Sequence, residues 1–143
     1  MSKLLIDTNI VLDLLAKREL FHESAAQIFS LADKNKLKLT VSSLTFANTN
    51  YVLTRLKTAR EARDILRRFK ILVRVLSLND KIVDLALNDD DFGDFEDGLQ
   101  YYTAIENNQD VLITRDLKDF KAAKIPVMTA EEYLISIDKS ASS

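Results

Sequence analysis

Five short apolar runs are spread along the chain: "KLLI" at 3–6, "LKLTV" at 37–41, "VRVLSL" at 73–78, "DVLIT" at 110–114 and "IPVMT" at 125–129. Several are too continuously apolar to carry a wet face, which is how strands buried on both sides of a sheet read. Between them the apolar residues fall near helical spacing, over 22–35, 43–57, 60–71, 80–88, 95–108 and 130–137, and a further helix starts near Asn9. Ser42 or Ser43, Asn79 and Asp94 stand where helix N-caps belong. Strands separated by helices of this length pair in parallel through right-handed crossovers. The expectation is an α/β fold, a three-layer α/β/α domain around a parallel sheet of about five strands.

A chain of 143 residues is long enough for one real core. Residues 1–138 read as a single domain, and "KSASS" at 139–143 reads as a frayed tail. With only Gly93 and Gly98, most turns must be built from Asn, Asp, Ser and Lys. The absence of cysteine excludes disulfides and thiolate metal sites, and His22 alone excludes a multi-histidine zinc site within one chain. No apolar run approaches the ~20 residues that span a bilayer. The start "MSKLLIDTN" lacks the pattern of a secretory signal, so the expected location is cytoplasmic.

The formal net charge of −2 hides an asymmetry. Residues 54–74 carry eight basic groups against Glu61 and Asp64, while residues 75–110 carry ten acids against Lys81 alone. The stretch "NDDDFGDFEDGL", 88–99, is the densest part, with six carboxylates and both glycines. Locally, one face can hold a polyanion and another site can hold cations.

Ligands of an open parallel sheet sit at the carboxyl ends of its strands. Asp7, Thr8 and Asn9 follow "KLLI"; Arg115 and Asp116 follow "VLIT"; the acidic stretch leads into the helix just before that strand. Asp7, Asp116 and one or more of Asp94, Glu96 and Asp97 therefore meet at one end of the sheet. Taken singly, Asp7 and Asp94 read equally well as helix caps, and Asp89, Asp90 and Asp91 read as solvated loop charges. Together, converging carboxylates repel one another unless a cation lies among them. A hard divalent ion with oxygen ligands, Mg²⁺ or Mn²⁺, fits that donor set. With such an ion, the chemistry is that of a metal-dependent nuclease or phosphatase.

Competing motifs fail. "GDFEDGLQ" has phosphate-loop spacing, but Leu99 and Gln100 occupy the places of Lys and Ser/Thr. An EF-hand read from Asn88 puts Phe92 and Leu99 at ligand positions. No dinucleotide fingerprint occurs, and "DTNIV" has Asn9 where an aspartyl-phosphate phosphatase carries its second Asp. A Ser-His-Asp triad would need His22, which nothing in the sequence singles out.

"LLIDTNIVLDLL", "SSLTFANTNYVL" and "DFEDGLQYYTAIENNQDVLITRDLKDF" resemble the PIN-domain family, and more narrowly the VapC-type toxins of bacterial toxin–antitoxin pairs. The resemblance covers roughly residues 3–135. It implies a sheet of order 3-2-1-4-5 and a Mg²⁺- or Mn²⁺-dependent ribonuclease site. On the matching positions, Asp7, Asp97 and Asp116 are the metal-binding acids, and Thr114 is the small hydroxyl residue beside the last of them. Thr8 and Asn9 follow the first acid and orient it, with Asp94 and Glu96 as possible helpers. Many members carry a glutamate where this chain has Asn48. An amide can position water or substrate but cannot accept a proton as a base.

The leading expectation is an endoribonuclease toxin that hydrolyses RNA phosphodiesters through a metal-activated water, with an RNA substrate, a cognate antitoxin and a homodimer implied by the resemblance. A catalytically weakened PIN-like module that binds RNA or protein is the alternative, and a phosphatase of small phosphoesters is a third reading. Arg60, Arg63 and Arg67, with Arg68 and Lys70, recur at helical spacing as a possible RNA-binding face; the plain reading of that face is a solvated helix.

Overall fold

The computed structural model describes residues 1–142, the last three by backbone alone. Its elements are β1 (Lys3–Ile6), α1 (Thr8–Leu15), α2 (His22–Asp33), β2 (Lys38–Ser42), α3 (Ser43–Leu56), α4 (Ala59–Lys70), β3 (Arg74–Leu76), α5 (Asp80–Leu87), α6 (Phe95–Glu106), β4 (Val111–Ile113), β5 (Val127–Met128) and α7 (Ala130–Ser142). All five strands join one parallel sheet in the order β3-β2-β1-β4-β5. This is the architecture and strand order expected above.

The central strand explains why these runs are apolar throughout. Leu4, Leu5 and Ile6 are fully buried, because alternate side chains enter two separate cores. Leu4 and Ile6 pack with Ile10, Val11, Ile28, Phe29, Phe69 and Tyr133 from α1, α2, α4 and α7. Leu5 and Leu112 pack on the opposite face with Tyr101 and Ala104 of α6. Each such side chain contributes about 1.5–3 kcal/mol through burial. Gly98 brings α6 against α5, where a Cβ would meet the Ala86 Cβ at 3.4 Å.

Element ends differ from the sequence reading where polar groups find other partners. Leu78 leaves the sheet to donate its N–H to Ser43 Oγ at 3.3 Å, so β3 stops at Leu76. Thr129 caps α7 rather than extending β5: its hydroxyl accepts from the Glu132 N–H, and Glu132 Oε1 accepts from the Thr129 N–H. Helix α7 continues to Ser142 across positions expected to fray, with no Gly or Pro to stop it; Ser143 lies outside the described residues. Ser42, Asn79 and Asp94 cap α3, α5 and α6. Positive φ angles fall at Lys17, Leu20, Asn35 and Asn108 and at neither glycine. Among the described residues, no helix is long and apolar enough to cross a membrane.

Candidate active site

The chain leaves β1 toward β2 and leaves the neighbouring β4 toward β5, so the two connections diverge and open a crevice between the carboxyl ends of β1 and β4. Asp7 is placed there by its own N–H, which continues the β-ladder to the Ile113 carbonyl at 2.9 Å. Its side chain caps α1, with Oδ1 accepting from the Thr8 N–H at 2.7 Å. Oδ2 accepts from Thr114 Oγ1 at 2.8 Å and from Asn9 Nδ2 at 3.4 Å. The capping and the functional readings of Asp7 thus describe the same geometry.

Asn9 ties the two ends of the cluster together. Its Nδ2 also donates to Asp116 Oδ2 at 3.0 Å, while its Oδ1 accepts from the Arg115 N–H at 3.3 Å. Asp116 in turn donates its N–H to Thr114 Oγ1 at 3.1 Å. Asp7, Thr8, Asn9, Asn48, Glu96, Asp97 and Asp116 line one pocket of about 350 Å³. Thr114 lies buried behind them. Asp94 is spent on its cap, accepting from the Asp97 N–H at 3.2 Å.

The electrostatics are lopsided. Burial pushes the Asp7 carboxyl up, against the hydrogen bonds from Thr114 and Thr8, and the charges of Asp116 and Glu96 add to the rise. Asp97 is pushed up to about 7, first by burial and then by the charges of Asp94, Asp7, Asp119 and Asp116. No Lys or Arg forms an ion pair with Asp7, Asp97 or Asp116 among the described residues. Nor, among those residues, is any group of three or more acidic or histidine side chains already arranged to hold a metal ion. The three acids therefore share a pocket without forming a ready-made ligand triad. The donor set still suits a hard divalent cation: all its ligands are oxygens, and its negative charge has no internal counterion.

The sequence reading missed several residues. Thr45 is fully buried and joins Thr8 (Oγ1 to Oγ1, 3.0 Å) to Gln100, whose Nε2 donates to it at 3.1 Å. This link holds the starts of α1 and α3 against α6, one turn below Asp97. Gln100 also lines the pocket, and its Oε1 has no hydrogen-bond partner among the described residues. Asp119 reaches the cluster electrostatically from the 3₁₀ turn Leu117–Phe120. Asp89 is corrected in one respect: it is half-buried rather than a solvated loop charge, because it accepts from the Tyr102 hydroxyl and fastens the acidic loop to α6, but it does not line the pocket. That bond is the main reason the Tyr102 phenol is raised to about 12. The structure does not bring Arg60, Arg63 or Arg67 to the pocket; they lie exposed on α4, and Arg67 pairs with Asp64.

A parallel α/β sheet with uncompensated carboxylates at its carboxyl edge defines an acid-cluster domain. The chain belongs to the PIN-domain family, whose profile matches residues 3–118. It is 28% identical over 139 residues to Ribonuclease VapC1 of Aquifex aeolicus (strain VF5), spanning 92% of this chain and 93% of that protein. Its fold is similar to that of VapBC2 from Rickettsia felis bound to a DNA fragment from its promoter, with TM-score 0.68, 21% identity and coverage of 88% of this chain and 96% of that one. It is similar as well to Mycobacterium tuberculosis VapC20, a sarcin–ricin loop cleaving toxin, with TM-score 0.66, 20% identity and coverage of 85% and 95%.

Proposed function

We propose that this chain is a divalent-metal-dependent endoribonuclease of the toxin type, with Asp7, Asp97 and Asp116 holding the ion. The observation that carries the reading is the uncompensated charge around Asp7. A buried carboxylate beside two others needs either protons or a cation, and a Mg²⁺- or Mn²⁺-sized ion satisfies it with oxygen ligands. Bound there, such an ion would supply Lewis acidity toward a phosphoryl oxygen and make a water more acidic.

The chain's own residues do the positioning. Thr8 and Thr114 fix the two Asp7 oxygens, Asn9 sets Asp116 relative to Asp7, and the half-buried Asn48 amide orients water or substrate at the pocket wall. Family membership and the named ribonuclease relative support the substrate class. The same reading includes an antitoxin partner, a homodimer and a cytoplasmic location. Exposed apolar side chains such as Tyr51, Leu56 and Ile71 supply surface for partners.

RNA cleavage with Mn²⁺ tests the reading, using single-stranded and structured substrates, a chelator control and Asp97→Asn. Cleavage should stop with chelator and fall at least about a hundredfold in the variant. Cleavage that survives both would refute the assignment. RNA bound tightly but left intact would favour the binding-module alternative, to which Asn48 in place of a glutamate points.

A further inference from the structure

A second cavity, of about 270 Å³, adjoins the acid pocket and shares Asp116 with it. Its walls are Leu20 and Phe21 from the α1–α2 turn, Arg115, and Glu131 at the start of α7, with Ser24 alongside. We propose that it is a base-binding subsite, taking one unstacked nucleobase beside the scissile phosphate with preference for guanine. The proposal rests on the ribonuclease reading above and names the substrate feature that reading leaves open.

Three observations carry it. Arg115 is fixed as a flat surface: its Nε donates to the fully buried Asp13 at 2.9 Å, and its guanidinium lies over the Phe21 ring at 4.2 Å. The pair remains partly open, with Phe21 40% exposed and the Arg115 side chain 27% exposed. A planar base extends such a stack, which is how proteins hold splayed single-stranded bases. Next, the turn displays apolar surface at a conformational cost. Leu20 has φ 72° and is 94% exposed, an arrangement that neither backbone preference nor burial explains.

The third observation is charge. Asp13, Asp116 and Glu131 line the cavity against Arg115 as its one lining cation among the described residues, so it repels a phosphate and accepts a neutral ring with N–H donors. Its volume lies below the ~300 Å³ lower end of whole-ligand pockets, a size for one ring system. Guanine presents two adjacent donors on its Watson–Crick edge, matching a carboxylate such as Glu131. Adenine and cytosine present one amino group there, and uracil one imino group.

The test is an NMR titration of the full chain in Mg²⁺ with the four 5′-monophosphates, none of which an endonuclease can cut. Guanosine monophosphate should shift the Arg115 Nε–H and Phe21 signals and bind about fivefold or more tighter than uridine monophosphate. Glu131→Gln, at an exposed position, should reduce that ratio below about twofold, and Phe21→Ala should weaken all four nucleotides. Equal shifts for all four, confined to Asn9 and Thr114, would overturn the subsite and leave the nuclease reading standing. No shift at either place would overturn both.

Discussion

Asp7 and Asp13 are both buried, and they begin and nearly end the same helix, yet their surroundings differ in one decisive respect. Asp13, at 0% exposure, meets Arg115 at 2.9 Å and Arg18 at 3.8 Å. Asp7, at 8%, meets only neutral donors and other acids among the described residues. Burial raises both carboxyls, but only Asp13 has cations that pull back. Nothing in the fold prevents an arginine from reaching a buried acid on this helix, as Arg115 shows. Among the described residues, the lack of a pairing Lys or Arg at Asp7 is therefore a local property of the site, and it is what the proposed metal-binding role requires.

Breaking the Asp13 pair should give the largest change. Arg115→Ala strands a buried carboxylate and should cost about 3 kcal/mol, because Arg18 compensates only in part; urea denaturation measures it. Asp7→Asn should do the opposite in metal-free solution, leaving stability within about 1 kcal/mol or raising it, since a repelled charge is removed. The same variant should lose cation binding, read by calorimetry.

A pH series sharpens the contrast further. The Asp7 and Asp97 carboxyls are raised in the folded state, so the folded protein binds more protons than the unfolded chain. Their contribution to stability is complete below the unfolded value and disappears as pH rises through the folded one. Metal-free Tm should therefore fall between about pH 4 and about pH 7 by a few degrees. Saturating Mn²⁺ should remove or reverse that slope; an unchanged slope would contradict the assignment. The smallest effect is expected at Asn48. Asn48→Glu adds a charge at the pocket wall and should tighten Mn²⁺ binding about threefold to tenfold, while Asn48→Ala should change it less than about twofold.

The sheet was legible because a parallel strand buried on both faces must be apolar at every position, as Leu4, Leu5 and Ile6 are. Caps were legible because Ser42, Asn79 and Asp94 act within three residues of themselves. The position of Asp7 and Asp116 followed from where strands end. What the sequence hid are contacts between elements far apart in the chain. Thr45 and Gln100 are buried polar residues with no periodic signature, and their roles depend on three helices meeting. Asp13 left a faint trace as a lone carboxylate in "IVLDLL", but its partner Arg115 is remote in sequence. Asp89 looked like its solvated neighbours until Tyr102 supplied a donor.

The most direct test of the central claim is a calorimetric Mn²⁺ titration of the wild type and Asp97→Asn at about pH 6 and about pH 8. The wild type should bind, more tightly at the higher pH because bound protons leave as the ion enters, and Asp97→Asn should weaken binding about tenfold or more. A folded wild type that takes up no Mn²⁺, or binding that ignores both pH and the substitution, would contradict the account.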